Sequence, residues 1–132
     1  MSEKQKLLIV DDSELNRDIL KEILGSSYDY LEAENGTQAI QILEVHPEID
    51  LMLLDINMPQ MNGFQVLEHM REFQWIDEVP VVMISSEESV EIMRKAYDLG
   101  ITDYISRPFD AVIVKKRAVS YTHLTLPTKL EV

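Results

Sequence analysis

At 132 residues and 45% hydrophobic content the chain has the length and apolar share of one domain with a real core, which argues against disorder. Acids outnumber bases 24 to 12 for a net charge of −12, a field that repels nucleic acid and anionic membrane. With no cysteine there is neither a disulfide framework nor a thiolate metal site, and no apolar run forms a signal peptide or the roughly 18-residue stretch of a membrane span.

A soluble cytoplasmic protein is therefore expected. The first strand is predicted at "LLIV" (7–10), a short run apolar on both faces, and Asp11 and Asp12 follow it. In "SELNRDILKEILG" the residues Leu15, Ile19, Leu20, Ile23 and Leu24 form one helical stripe, with Ser13 or Asp12 as N-cap and Gly25 as the stop. "YDYLEA" (28–33) is more polar and reads as an edge strand. "NGTQAIQILEVH" is a second amphipathic helix, closed by Pro47.

"LMLL" (51–54) is the next buried strand, ended by Asp55 and a loop rich in turn formers, Asn57, Pro59, Asn62 and Gly63. A helix over "GFQVLEHMREF" leads to the strand "VVMI" (81–84), which is followed by Ser85 and Ser86. The helix "SVEIMRKAYDLG" precedes a weaker strand, "DYI" (103–105), after whose Ser106 come Arg107 and Pro108. "FDAVIVKKRAV" starts a last helix on the apolar positions Phe109, Val112 and Ile113, which Lys115 to Arg117 interrupt. Pro127 is expected to end any helix before Leu126 and to leave the tail extended, mobile or packed on another copy. Strands alternating with helices imply a doubly wound α/β domain: a parallel sheet of five strands with right-handed crossovers and helices on both faces.

In such a sheet the strand ends share one edge, and ligand sites form there. The residues that follow the apolar runs therefore deliver Asp11, Asp12, Asp55, Ser85 and Arg107 to one crevice. Close carboxylates repel by an energy on the order of several kcal/mol per pair, and a hard divalent cation such as Mg²⁺ relieves it. Asp11 or Asp12, Asp55 and a loop carbonyl such as that of Asn57 would supply part of its shell. His46, His69 and His123 lie on helices or in the tail and read as surface residues. A cation site beside a carboxylate, a hydroxyl and a guanidinium suits phosphoryl transfer, with the aspartate as nucleophile. Each element alone has a plainer explanation: Asp11–Asp12 as an N-cap, Ser85 as the cap of a helix from about Glu87, Arg107–Pro108 as a loop. Their arrival in order at one edge favours the joint function.

The strings "IVDDSELNR", "LLDINMPQMNGF", "VVMISSEES" and "DYISRPFD" make the chain resemble a response-regulator receiver domain, the phosphoacceptor module of bacterial two-component signalling, over residues 5 to about 118. The resemblance implies a flavodoxin-like strand order 2-1-3-4-5, which is carried over from the family. It further implies that Asp55 is the phosphoacceptor, that Asp11, Asp12, Asp55 and the backbone carbonyl of Asn57 hold Mg²⁺, and that Ser85 hydrogen-bonds the phosphoryl group. Tyr104 would be the aromatic switch that follows Ser85. The implied partners are a sensor histidine kinase or phosphotransfer protein, and a homodimer or output domain through the face of residues 87–118. Acceptance and loss of the phosphoryl group would be self-catalysed, with no dedicated substrate.

Two features depart from the pattern. Arg107 stands where the family has lysine; it keeps the charge but is longer and planar. The resemblance implies that its bond to Pro108 is cis. The string "VSYTHLTLPT" resembles a translated transposon-type sequencing adapter, which implies a receiver over 1–118, a non-native tail over 119–132 and a native chain continuing past Ala118. Two rivals remain: a degenerate receiver that binds without phosphate, supported by Arg107, and a Mg²⁺-dependent aspartyl phosphatase, which wants a second aspartate where Asn57 stands. A dinucleotide-binding domain is excluded because "VDDSELN" has no glycine-rich turn.

Overall fold

The computed structural model describes residues 4–58, 61–86, 89–107 and 110–131, with residues 123–131 described as backbone. Ten main elements alternate along the chain. They are β1 (Gln5–Val10), α1 (Glu14–Leu24), β2 (Tyr28–Ala33), α2 (Gly36–Val45), β3 (Leu51–Asp55), α3 (Gly63–Glu72), β4 (Val81–Ser85), α4 (Val90–Asp98), β5 (Asp103–Ser106) and α5 (Ala111–Glu131). The five strands pair in parallel in the order β2-β1-β3-β4-β5. The fold is flavodoxin-like.

The alternation of strand side chains splits the core into two. Leu8, Val10, Met52, Leu54 and Met83 point into a cluster completed by α2, α3 and α4 through Ala39, Ile40, Leu67, Met70 and Ala96. Leu7, Ile9, Leu51, Leu53 and Ile84 point the other way, against Leu20 and Leu24 of α1 and Val114 and Ala118 of α5. Every residue of β3 is buried. Each fully buried leucine there contributes about 1.5–3 kcal/mol, which offsets the cost of ending the strand on a buried acid.

Local chemistry fixes the helix ends. The Ser13 side chain accepts from the Asn16 amide at the start of α1, and Gly25 stops that helix at φ 83°, a left-handed conformation that glycine adopts without strain. Asn35 caps α2, and Asn62 and Gln65 form a reciprocal capping box at α3. Ser89, not Ser85, caps α4.

Three packing expectations need correction. On α1 the stripe is rotated: Leu20 and Leu24 are buried, whereas Leu15 is 68% and Ile19 40% exposed. The rotation turns Asn16 and Arg17 toward Asp11, where Asn16 Nδ2 lies 3.5 Å from Asp11 Oδ2 and Arg17 Nη1 donates to the Asp11 carbonyl at 2.6 Å. On α5, Val112 and Ile113 are exposed, and Val114 and Ala118 make the contact with the sheet. Lys115 and Lys116 sit on the outer side and interrupt nothing.

Nor does Pro127 end the last helix, which runs to Glu131. The helix is anchored well before the proline. Tyr121 OH donates to Asp103 Oδ2 at 2.6 Å, Gln5 Nε2 donates to the Thr122 carbonyl at 2.8 Å, and Thr122 itself is buried. A helix already nucleated and docked carries past one missing donor. The expected extended tail is therefore replaced by helix as far as the described residues go. Pro59, Glu87, Phe109 and Pro108, with its expected cis bond, lie outside the described residues.

Candidate functional site

Strand register builds the site. Val10 pairs with Leu54, so Asp11, the next residue, falls beside Asp55. Asp55 pairs with Ile84, which puts Ser85 just beyond it, and Ser85 pairs with Ser106, which puts Arg107 next in turn. The Arg107 amide donates back to the Ser85 carbonyl at 2.8 Å, extending the ladder by one bond past the strand ends. All the residues that the sequence aims at this edge arrive there.

Four described polar residues are buried: Asp11, Asp55, Ser85 and Thr122. Three of them belong to this edge, a concentration that core packing does not require. Asp11, Asp12 and Asp55 each bring a carboxylate oxygen within 4.8 Å of the others, with Asp12 exposed at the mouth. The donors are all hard oxygens, the set that suits a divalent cation of the Mg²⁺ class. The cluster is consistent with a Mg²⁺ site.

The partners of the two buried acids differ. Asp11 Oδ1 accepts from the Ser13 amide at 2.9 Å, and its Oδ2 meets Arg107 Nη2 at 2.5 Å. Asp55 has longer contacts, 3.4 Å to the Asn57 amide and 3.9 Å to Arg107 Nη1. Burial raises the Asp55 carboxyl to about 6, and the negative charge of Asp11 adds to the shift. Arg107 and the Asn57 amide pull the other way, and Asp12 pushes it up again. Asn57 thus lies against Asp55 through its own backbone, with its side chain exposed. Tyr104 is buried in the core cluster of the α2–α3–α4 face, paired across the strands with Met83.

Close approach, rather than torsion, dictates two glycines around the loop that follows Asp55. A Cβ on Gly63 would stand 2.5 Å from the Asp55 carbonyl oxygen and 2.9 Å from Ile56 Cα, and the Gly63 amide donates to the Ile56 carbonyl at 2.9 Å. The start of α3 is thereby pressed onto the peptide that follows Asp55. On the other side of the loop the Gly36 amide donates to the Met61 carbonyl at 3.1 Å, and a Cβ on Gly36 would lie 2.4 Å from that oxygen. The first turn of α2 pins the loop that carries Asn57. The sequence reading passes over Gly36, Asn16 and Arg17; the polar pair Asn16–Arg17 inside an otherwise apolar stripe is the signal that could have exposed the last two.

A flavodoxin-like domain with an acidic triad at the carboxyl edge of its sheet is the class these observations define. Residues 7–118 match the family model of the response regulator receiver domain, and the chain belongs to that family. It is similar to the chemotaxis protein CheY1 of Helicobacter pylori, 34% identical over 114 residues that cover 85% of this chain and 92% of that one. It is also similar to a protein of Vibrio cholerae described as "Probable cyclic di-GMP phosphodiesterase", 34% identical over 118 residues, or 89% of this chain and 26% of that protein. Among solved structures, a chain of the CheX–CheY–BeF3–Mg²⁺ complex from Borrelia burgdorferi superposes with a TM-score of 0.81 at 31% identity, covering 88% of this chain and 87% of that chain. The chain is a CheY-like receiver of two-component signalling. No helix among the described residues is long and apolar enough to cross a membrane.

Proposed function

We propose that Asp55 accepts a phosphoryl group from a histidine kinase, a phosphotransfer protein or a small phosphodonor, and that the modified domain changes its output face. The observation that carries this reading is the placement of Asp55: a buried carboxylate with long, weak partners inside an acidic triad, flanked by Ser85 and Arg107. One Asp55 oxygen attacks phosphorus, the bond from phosphorus to the leaving carboxylate or imidazole breaks, and an acyl phosphate forms. Asp11, Asp12, Asp55 and the Asn57 carbonyl would hold Mg²⁺, which would supply positive charge to the carboxylates and to the phosphoryl oxygens. The Arg107 guanidinium, already 3.9 Å from Asp55, meets the transferred oxygens, and the Ser85 hydroxyl donates to one of them.

The added charge of about −1.5 to −2 is what the domain responds to. Ser85 moving toward the phosphoryl group would let Tyr104 shift with it and reshape the face of α4, β5 and α5, through which a second copy or an output domain would dock. The Vibrio cholerae relative, four times longer than its match by coverage, supports the output-domain arm. A cytoplasmic location fits a domain that takes phosphate from a kinase. Asn57 is an amide and has no acidic proton to give, which counts against the aspartyl-phosphatase alternative.

The end of the family match at Ala118 supports a receiver unit over 1–118 with 119–132 as a tail. The adapter-like origin of that tail rests on the string "VSYTHLTLPT" alone. The test of function is intact-mass analysis after incubation with acetyl phosphate and Mg²⁺. Wild type should gain one phosphoryl group and Asp55→Asn none, with chelator abolishing the gain. Equal labelling of Asp55→Asn would refute the assignment, and absence of labelling in wild type would favour the degenerate receiver.

A further inference from the structure

The peptide that joins Asp11 to Asp12 is held from outside the acid triad. On one side the Asp11 amide donates to the Ala33 carbonyl of β2 at 3.0 Å. On the other the Asp11 carbonyl accepts from Arg17 Nη1 at 2.6 Å, a short charge-assisted bond. The same guanidinium is anchored through its Nε, which donates to Glu32 Oε1 of β2 at 2.9 Å. Glu32 is fixed in turn by Lys21, four residues further along α1, whose Nζ lies 2.7 Å from the second Glu32 oxygen. The Arg17 side chain is 11% exposed, so the bridge from β1 to β2 is largely closed to solvent.

Asp12 depends on this bridge more than its two partners do. The Asp11 carboxylate is placed by the Ser13 amide at 2.9 Å, and Asp55 ends a fully buried strand. Asp12 is exposed, and its carboxylate has no hydrogen-bond partner among the described residues. Its direction is set by the backbone. Because the peptide is planar, fixing the Asp11 carbonyl also fixes the Asp12 amide and Cα. We infer that Arg17 is a positioning residue of the acid triad, whose two-pronged bridge from the Asp11 carbonyl to Glu32 aims the Asp12 carboxylate and so sets affinity and selectivity for a small divalent cation; this rests on the reading of the triad as a Mg²⁺ site. Arg17 bonds the Asp11 backbone and not a carboxylate of the triad, so it acts through that peptide.

Charge and position pull in opposite directions at Arg17. A guanidinium near three carboxylates weakens their hold on a cation, so its removal would tighten binding if charge alone counted. If position counts, removal weakens binding, and most for the ion with the stricter geometry. Mg²⁺ demands near-ideal octahedral coordination, whereas Ca²⁺ accepts variable distances and more ligands. The ratio of the two affinities therefore separates a lost aim from a changed field. Lysine cannot replace the bridge, because one ammonium does not hold a carbonyl and a carboxylate in a fixed fork.

The experiment is a calorimetric titration of Mg²⁺, and separately of Ca²⁺, into the metal-free full chain at fixed ionic strength. It compares wild type with Arg17→Gln, Arg17→Lys, Glu32→Gln and Lys116→Gln. Both Arg17 variants should bind Mg²⁺ about tenfold more weakly or worse, the usual size for a lost outer-shell partner, and Ca²⁺ by less than about threefold. Glu32→Gln keeps the guanidinium but loosens its anchor, and should lower the Mg²⁺-to-Ca²⁺ affinity ratio in the same direction by a smaller factor. Lys116, exposed on the outer side of α5, controls for loss of one positive charge, and Lys116→Gln should change either affinity by less than about twofold. Folding of each variant is checked by its cooperative thermal transition; if the Arg17 variants lack one, the ratio in Glu32→Gln decides, and an unchanged ratio overturns the inference. Unchanged or tighter Mg²⁺ binding in folded Arg17→Gln, or equal losses for both ions, overturns it as well. If wild type takes up no Mg²⁺, the cation-site reading falls and the inference with it; if wild type and the Arg17 variants bind Mg²⁺ equally, the site stands and only the role of Arg17 falls.

Discussion

Asp103 and Asp55 sit at opposite ends of parallel strands, one opening β5 and the other closing β3, and the protein treats their charges in opposite ways. Asp103 is saturated. Its Oδ1 accepts from the Tyr104 amide at 2.7 Å and from Tyr97 OH at 3.3 Å, and its Oδ2 accepts from Tyr121 OH at 2.6 Å and from Arg117. Burial pushes that carboxyl up, but the hydrogen bonds from Tyr121 and the Tyr104 amide, together with the Arg117 charge, outweigh it and hold the group below the usual carboxylate range. The reverse holds at Asp55, where burial and the neighbouring Asp11 dominate and the group is raised to about 6. Two aspartates in one sheet thus mark two uses of burial: a finished polar hub that ties α4, β5 and α5 together, and a charge kept short of partners. The structural acid is satisfied within the fold; the acid proposed to react keeps only long contacts.

That contrast can be broken at several points. Asp103→Ala should cost about 2–3 kcal/mol, because it removes the acceptor shared by two hydroxyls, an amide and a guanidinium. Urea denaturation measures this, and a wild-type midpoint would make Asp103 no more committed than Asp55. Gly36→Ala should cost less, about 1–2 kcal/mol, through the clash with the Met61 carbonyl. It should also slow Asp55 labelling, because the loop bearing Asn57 must yield; unchanged stability and labelling would show that the loop needs no pin from α2. The smallest effect is expected at Leu15, whose exposed side chain makes Leu15→Ser worth less than about 0.5 kcal/mol. A loss comparable to a core leucine would restore it to the sheet-facing stripe.

Much of this was legible in the sequence because the signals are local. Each apolar run ends on a residue of the proposed site, so the approach of Asp11, Asp55, Ser85 and Arg107 follows from strand ends sharing an edge. Ser13 and Gly25 bound α1 as their chemistry demands. What stayed hidden depends on rotation and reach. Periodicity places Leu15 and Leu20 on one broad stripe, but the turn of α1 about its axis is set by Asn16 and Arg17 meeting Asp11. On α5 the same role falls to Arg117 and Tyr121, whose partner Asp103 lies on another element. Pro127 was a true local cost that a docked helix overrides. The ion pair of Arg107 with Asp11 joins residues 96 apart, and neither position announces that the longer side chain crosses the site to the neighbouring acid.

The most direct measurement is the pH dependence of stability for wild type and Asp55→Asn, both in chelator. The native state holds the Asp55 proton up to about pH 6, whereas the unfolded chain releases it near 3.8, so between those values the native state binds more protons and loses stability as pH rises. Asp55→Asn lacks this penalty. It should be more stable than wild type by about 3 kcal/mol above pH 6, with the difference shrinking on acidification and vanishing below the unfolded value. An Asp55→Asn protein that is no more stable than wild type at neutral pH would contradict the claim that this carboxylate is buried with only long, weak partners.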